Sequence, residues 1–208
     1  EDIAISAYDI VLGDADGLEL PSFGMDGVVT LTDSQALDII MQPFMMNMVS
    51  VNVELENMSI EDVFLDVNTL LISDDSGGNY VPSYNVNTIG DITMSDGYRV
   101  FLNGTGDQSL ILEGFPNPMT LIEIHPYQLN LISYIPDGCM DTDVALASIT
   151  DDILLVSDDQ GGYYIPSYGI MTMTEMCPGD GYALFLSTTD AIDFIYPSTD
   201  GQAREKSQ

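Results

Sequence analysis

The 208-residue chain carries 34 acidic residues against 3 lysines and arginines, which gives a formal net charge of −31 at pH 7. Nucleic acid and anionic membrane surfaces are excluded as direct partners, because both need a basic patch. No apolar run approaches the roughly 20 residues of a spanning helix, so we expect no membrane insertion. With 45% hydrophobic and 18% charged residues, the chain is still apolar enough to build a core.

The acidic residues favour a loop-rich β protein, since 25 are Asp and 9 are Glu, and Asp prefers turns where Glu prefers helices. Because lysine and arginine are nearly missing, few carboxylates can form ion pairs. The folded chain therefore repels itself, and salt or divalent cations would relieve the repulsion. High-salt or calcium-rich surroundings fit this composition best.

Residues 1–36 form a predicted N-terminal segment of strands and turns. Its Asp14 and Asp16 precede Gly17 in a pattern similar to a calcium loop, although the full set of oxygen ligands is missing. An ordinary Asp-Gly turn between strands is the alternative interpretation.

An internal repeat organises the rest of the chain. Residues 73–102 align with 157–186 without a gap, with 15 of 30 positions identical, and residues 42–50 match 125–133. We therefore divide the chain into repeat one (37–116), repeat two (117–200) and a C-terminal tail (201–208).

Each repeat has the same predicted elements. A short helix begins at the cap-type residues Ser59 and Asp141. An apolar strand (70–72 or 153–156) then enters an Asp-Asp-x-Gly-Gly hairpin turn whose glycines suit positive φ, and the return strand stops at a proline. Further strands are predicted at 98–102 and 109–112, and at 182–186 and 192–195. The fold class is thus mainly β, with two homologous barrel- or sandwich-like units, each with one short helix, packed about a pseudo-two-fold axis or exchanging strands.

The motifs of the repeat resemble a known family. Asn-x-x-Ser, an acidic helix start, Asp-Asp-x-Gly-Gly-x-Tyr-x-Pro-Ser-Tyr and Asp-Gly-Tyr are similar to a tandem repeat of secreted marine bacterial and algal proteins, diatoms especially. That family usually has Gly-Trp-Asn-x-Ile-Ser, and this chain lacks its Trp and Gly. The resemblance covers roughly residues 37–200 and implies a non-catalytic building or binding module. The tandem architecture also resembles algal pyrenoid-shell proteins, which implies a monomer that tiles into a sheet.

No catalytic constellation stands out. His125 is the single histidine, and it lies where repeat one has Gln42, in a segment that repeats for structural reasons. No nucleophile-elbow, zinc-helix or phosphate-loop pattern occurs. We therefore expect a protein that is not an enzyme and has no catalytic residue.

Calcium is the one cofactor that the composition suggests, because clustered Asp side chains suit a hard cation. The candidate ligands are the acidic residues of the N-terminal turn and of the two hairpins: Asp14, Asp16, Asp74, Asp75, Asp158 and Asp159. Solvated acidic turns are the alternative.

Three other features bear on assembly. Methionines are concentrated at 41–48 and 171–176, where they fill a core or form an adaptable contact surface. Arg204 and Lys206 lie in the tail, which either docks on a neighbouring copy or is a disordered end. Cys139 and Cys177 either pair or stay free.

We expect a structural protein that self-assembles into a sheet, shell or filament, outside the cell or on its surface, with the lumen of an algal pyrenoid compartment as the alternative location. The competing hypothesis is a calcium-dependent adhesion or carbohydrate-binding module of a larger secreted protein, with a glycan or another protein as partner. Its stacking surface would consist of tyrosines of the repeated motif: Tyr80, Tyr84, Tyr163, Tyr164 and Tyr168. Solvent-facing tyrosines would favour binding, and tyrosines packed between the repeats would favour a structural role.

Overall fold

The computed structural model describes residues 34–198, and the predicted mainly β fold is confirmed there. Repeat one contains β1 Gln35–Met41, β2 Met46–Ser50, β3 Val53–Glu54, β4 Thr69–Ser73, β5 Asn79–Val81, β6 Val86–Asn87, β7 Gly97–Leu102 and β8 Gln108–Pro116. Repeat two contains β9 Ile122–Ile124, β10 Asn130–Ser133, β11 Met140–Asp141, β12 Ile153–Ser157, β13 Tyr163–Ile165, β14 Ile170–Met171, β15 Glu175–Met176, β16 Gly181–Leu186 and β17 Ile192–Phe194. Strand β1 begins two residues before the predicted start of repeat one.

Both predicted helices are present as single turns, α1 Ile60–Val63 and α2 Thr142–Ala145. They begin after Ser59 and Asp141, as the cap-type residues predict, but neither side chain makes a capping hydrogen bond. Short 3-10 helices follow at Ala147–Asp152 and, in both repeats after the hairpin, at Pro82–Tyr84 and Pro166–Tyr168.

The main sheet has the same strand order in both repeats. It runs β2-β7-β4-β5-β6 in repeat one and β10-β16-β12-β13-β14 in repeat two, with antiparallel neighbours throughout. Smaller antiparallel sheets are β1-β8-β3, β17-β9 and β11-β15. Each ladder between the described strands joins two strands of the same repeat, so the predicted option of strand exchange is not seen between residues 34 and 198.

The two glycines of each hairpin turn serve different purposes. Gly77 and Gly161 have φ angles of 91° and 88°, which a residue with a Cβ adopts only with strain. Gly78 and Gly162 are needed for space, because a Cβ atom there would collide with the carboxylate of Asp74 or Asp158. Only the first glycine therefore has the positive φ that we predicted for both.

Each repeat has its own apolar core. The first core lies entirely within repeat one and is formed by Leu37, Ile39, Met41, Val49, Val51, Val53, Ile60, Val63, Phe64, Val67, Ile72, Ile92, Tyr98, Val100, Leu102, Leu110 and Leu112. The second core takes Met94 from repeat one, and its other members, including Ile124, Tyr134, Tyr182 and Phe194, lie in repeat two. A small third cluster of Met48, Leu131 and Ala183 joins the two repeats. Each main core is therefore built almost entirely from the residues of one repeat.

The tyrosine of the Asp-Gly-Tyr motif anchors a neighbouring loop in each core. The Tyr98 hydroxyl accepts a hydrogen bond from the Thr93 amide at 2.9 Å, and the Tyr182 hydroxyl accepts one from the Cys177 amide at 2.8 Å. Burial raises the pKa of Tyr98 to about 12, so this hydroxyl stays protonated across the physiological range.

Cys139 and Cys177, whose pairing the sequence left open, form a disulfide that closes a loop across a sequence separation of 38. It lies next to the two-stranded ladder of β11 and β15, in which Met140 pairs with Met176. No helix within residues 34–198 is long and apolar enough to cross a membrane.

Replacing both cysteines tests how much the disulfide stabilises the fold. We expect Cys139→Ser/Cys177→Ser to lower the free energy of unfolding by about 2–4 kcal/mol, because the open chain regains the entropy that the closed loop removes from the unfolded state. Urea denaturation with and without reductant measures the effect. The double variant should not respond to reductant, and an unchanged midpoint of the wild-type protein in reductant would contradict the prediction.

Candidate functional site

The first aspartate of each Asp-Asp pair closes its own hairpin turn. Asp74 Oδ1 accepts a hydrogen bond from the Gly78 amide at 2.6 Å, and Asp158 Oδ1 accepts one from the Gly162 amide at the same distance. This use of the carboxylate is local, as expected for Asp in a turn.

The second aspartate of each pair crosses to the other repeat. Asp75 Oδ2 accepts a hydrogen bond from the Leu131 amide of β10 at 2.7 Å, and Asp159 Oδ2 accepts one from the Met48 amide of β2 at 2.8 Å. Burial raises the pKa of both carboxyl groups, while these amide hydrogen bonds lower it. The two contacts are equivalent in the two repeats and fasten each repeat to the other.

The backbones also approach closely at this boundary, at the glycine of each Asp-Gly-Tyr motif. A Cβ atom at Gly97 would lie 2.9 Å from the Ile132 carbonyl oxygen, and one at Gly181 would lie 2.8 Å from the Val49 carbonyl oxygen. Isolated β-bridges join Val49 to Asp180 and Asp96 to Ile132. Only glycine fits these positions, so the repeated motif is explained by the contact between the repeats.

Amide-to-carbonyl hydrogen bonds and a serine complete the boundary. The Ser50 amide donates to the Gly179 carbonyl at 2.9 Å, and the equivalent Ser133 amide donates to the Ser95 carbonyl at 3.1 Å. The Ser50 hydroxyl also donates to the Asp180 carbonyl at 2.6 Å and accepts from the Tyr134 amide. The Ser133 hydroxyl has no hydrogen-bond partner within the described residues.

Two clefts lie at the boundary, at equivalent places. The first, of about 310 Å³, places Asp159 and Asp180 of repeat two beside Met45 and Met46 of repeat one. The second, of about 350 Å³, places Asp75 and Asp96 of repeat one beside Glu123, His125 and Gln128 of repeat two. Both clefts are rich in carboxylates, and the first also exposes apolar side chains.

The carboxyl group of Asp180 is the most perturbed acid in the clefts. Its partial burial raises its pKa to about 6, and the negative charges of Asp159 and Asp158 add to the effect. A hydrogen bond from the Tyr182 hydroxyl opposes this shift.

The turn between β1 and β2 presents an aromatic side chain to solvent, and so does its equivalent in repeat two. Phe44 and Tyr127 are 78% and 83% exposed, with φ angles of 60° and 62° that non-glycine residues rarely adopt. The buried Asn47 holds the first turn, since its side chain accepts from the Gln42 amide and donates to the Gln42 and Val100 carbonyls. Asn130 does the same in repeat two. The repeated Asn-x-x-Ser motif therefore fixes an exposed aromatic residue.

Some tyrosines of the repeated motif are exposed to solvent, and others are partly or fully buried. Tyr84 and Tyr168 are exposed at the ends of their 3-10 helices, each before a residue in the left-handed conformation. Tyr163 is exposed, Tyr80 is half-buried, and Tyr164 belongs to the core of repeat two. Solvent-facing tyrosines were the feature expected of a binding surface.

Some methionines fill the core and others form exposed surface, which are the two alternatives that the sequence left open. The buried ones are Met41, Met48, Met173 and Met176, and the exposed ones are Met45, Met46 and Met171. Core packing accounts for the first group, and the second group adds flexible apolar surface.

Residues 34–198 contain no group of three or more His, Cys, Asp and Glu side chains arranged to hold a metal ion. Asp74, Asp75, Asp158 and Asp159 accept backbone hydrogen bonds instead, and calcium binding by them stays a prediction. Asp14, Asp16, Arg204 and Lys206 lie outside the described residues. His125 is half exposed, with its Nε2 atom 3.8 Å from a Glu123 carboxylate oxygen.

Removing the carboxylates that cross the boundary tests their structural role. We expect Asp75→Ala and Asp159→Ala each to lower the free energy of unfolding by about 1–3 kcal/mol, because a partly buried amide loses its acceptor. Asp66→Ala is the matched control, since it removes an equal charge from an exposed site. Chemical denaturation measures the three variants, and equal stabilities would contradict the assigned role.

The raised pKa of Asp180 predicts a pH dependence. Because its folded-state pKa of about 6 exceeds the ordinary value of 3.8, its contribution to stability is complete below pH 3.8 and is lost as the pH rises through 6. We expect Asp180→Asn to stabilise the protein at pH 7 by about 1 kcal/mol, since water screens part of the repulsion, and to change little at pH 4. Thermal unfolding between pH 4 and pH 8 measures this, with Asp66→Asn as control. A gain that does not depend on pH would contradict it.

Comparison of the chain with protein-family models, with curated proteins and with solved structures found no match.

Proposed function

We propose that the chain is a non-enzymatic structural protein whose copies associate into a sheet, shell or filament. The observation that carries the proposal is an exposed apolar stripe on the small sheet β1-β8-β3. Its members are Ile40, Ile111 and Phe115, and the two isoleucines are 70% and 71% exposed. Large apolar side chains grouped on a sheet face are typical of interaction surfaces.

The register of the strands brings the two isoleucines together. Ile40 lies opposite Ser109, and Ile111 lies opposite Asp38, so Ile40 and Ile111 are diagonal neighbours on the same face. Phe115 follows four residues after Ile111 on β8 and points to the same side, with the exposed Glu113 between them. Strand β1 pairs only with β8 among the described strands, so its other edge supports addition of a strand from another copy.

Charge is the obstacle to association. Two copies that each carry a net charge of −31 repel one another, and Arg99 is the only lysine or arginine between residues 34 and 198. Assembly therefore requires salt or divalent cations to screen the carboxylates. The basic Arg204 and Lys206 of the tail would provide a local attraction to the acidic clefts of a neighbouring copy.

The resemblance to secreted marine bacterial and algal repeat proteins supports a building module, and the resemblance to pyrenoid-shell proteins supports tiling. The Cys139–Cys177 disulfide supports an oxidising environment. These features support our proposal of a location outside the cell or on its surface, with the pyrenoid lumen as the alternative.

The alternative function is a calcium-dependent adhesion or carbohydrate-binding module. The exposed Tyr84 and Tyr168 favour it, because both repeats present the ring at the same rigid corner and aromatic faces suit stacking on apolar ligand surfaces. Phe44 and Tyr127 add a second equivalent pair.

Light scattering and negative-stain microscopy at low salt, high salt and millimolar calcium test self-assembly. We expect ordered assemblies once the charge is screened, and we expect Ile40→Thr/Ile111→Thr to lose at least ten-fold in association, because the stripe becomes polar while the strands are kept. Leu154→Thr is the matched control, since it replaces an exposed apolar residue on a different sheet.

The outcomes separate the two functions. A wild-type protein that stays monomeric under every condition would overturn self-assembly. A monomer that binds glycans, and loses that binding in Tyr84→Ala/Tyr168→Ala, would establish the alternative. Assembly that the double threonine variant retains would show that another surface is used.

A further inference from the structure

The boundary between the repeats uses equivalent contacts in both directions. Asp75 of repeat one binds the Leu131 amide of repeat two, and Asp159 of repeat two binds the Met48 amide of repeat one. The β-bridges and the close approaches at Gly97 and Gly181 come in the same reciprocal pairs. Each repeat thus presents a donor strand and an acceptor hairpin to its partner.

Each main core is built almost entirely from one repeat, although Val49 and Ile132 of these cores also lie at the boundary. The core of repeat one contains residues of repeat one alone, and the core of repeat two takes only Met94 as a buried member from repeat one. The ladders between the described strands also stay within one repeat. The apolar contact that joins the repeats is the small cluster of Met48, Leu131 and Ala183. Undocking the repeats would therefore keep the packing within each core, but it would expose strands β2 and β10, which carry the core residues Val49 and Ile132.

The linker between the repeats is short and mostly exposed. It comprises residues 117–121, between the end of β8 at Pro116 and the start of β9 at Ile122. Its turn is closed within the linker, where the Thr120 amide and hydroxyl both donate to the Asn117 carbonyl, at 3.1 and 2.7 Å. A groove of about 440 Å³ lies between the linker and Glu54, Met58 and Met94 of repeat one. Loose packing of this kind permits the linker to open.

We propose that the repeats are exchanged between chains, so that repeat one of one copy docks on repeat two of another. The docking surface is the same whichever chain supplies the partner, and only the linker favours the repeat of its own chain. A short linker gives an effective concentration on the order of millimolar, which a crowded or locally concentrated protein approaches. Reciprocal exchange closes a dimer, whereas exchange that does not close gives a filament.

This inference deepens the proposed self-assembly and rests on it for its biological role. It names the partner, a second copy of this chain, and a route of association that does not use the apolar stripe of Ile40, Ile111 and Phe115. The two routes can therefore fail separately.

Complementation between two full-length variants tests the exchange. Gly97→Val blocks the docking surface of repeat one, and Gly181→Val blocks that of repeat two, because each side chain would strike a carbonyl of the opposite repeat. Mixed together, the two variants offer one intact repeat each. We carry Ile40→Thr/Ile111→Thr in both chains so that the apolar stripe does not contribute.

We expect each variant alone to keep its β circular dichroism, and native mass spectrometry of the mixture to show a heterodimer of doubled mass. A mixture that stays monomeric while both variants are folded would overturn the proposal. Loss of the β signal in either variant would overturn it too, because exchange requires repeats that stay folded when undocked.

A second variant keeps the docking surfaces intact. Deleting residues 117–121 joins Pro116 directly to Ile122, so the two repeats of one chain lack the length to dock on each other. We expect this variant to be a dimer or larger, and a variant with five added Gly and Ser residues after Met119 to stay monomeric in dilute solution. A folded, monomeric deletion variant would overturn the proposal. Salt-dependent assembly that is lost in Ile40→Thr/Ile111→Thr alone would leave self-assembly standing without exchange.

Discussion

The structure depends on two carboxylates that satisfy the edge strand of the opposite repeat. Strands β2 and β10 lie at the ends of their sheets and are almost wholly buried, so water cannot reach all of their outward amides. Asp159 and Asp75 supply acceptors for two of these amides. A buried amide without a partner costs more than a hydrogen bond contributes, so the boundary stays docked for as long as these carboxylates are in place. The Asp-Asp hairpin of each repeat is therefore needed for its docking on the other repeat.

The same arrangement places negatively charged side chains in partly buried positions at the boundary between the repeats. The second aspartates are compensated by backbone amides, but Asp180 is held near Asp159 with only a long hydrogen bond from Tyr182. With almost no lysine or arginine available, the protein cannot neutralise this cluster from within. Docking between repeats and the proposed association between copies would therefore share a dependence on ionic conditions and pH. Cations in the surroundings would act on both at once.

The exposed aromatic residues are the part of the repeat that the fold does not require. Asn47 and Asn130 hold the turns that point Phe44 and Tyr127 outward, and each also donates a hydrogen bond to the neighbouring strand. Tyr84 and Tyr168 are presented in the same way by the 3-10 helices. A buried polar residue that fixes a strained, exposed aromatic residue, twice in one chain, is more simply explained by a contact with another molecule than by stability. The proposed binding function uses this surface.

Much of the fold follows from local pattern, and the sequence alone determined it. The short apolar runs, the Asp-Asp-x-Gly-Gly turns and the cap-type residues act within a few positions of one another, which is why the hairpins, the strands of the repeated motif and the short helices lie where they were expected. Strands β1, β2, β9 and β10 were not predicted. The tertiary structure decided what depends on distant partners. Asp74 and Asp75 are adjacent and identical, yet one closes a turn and the other binds an amide 56 positions away. The Cys139–Cys177 pairing, the separate reasons for Gly77 and Gly78, the division of the methionines and the two clefts have the same origin. Each is set by which segments pack together in the folded chain, and the order of those segments along the chain does not reveal their distance in space.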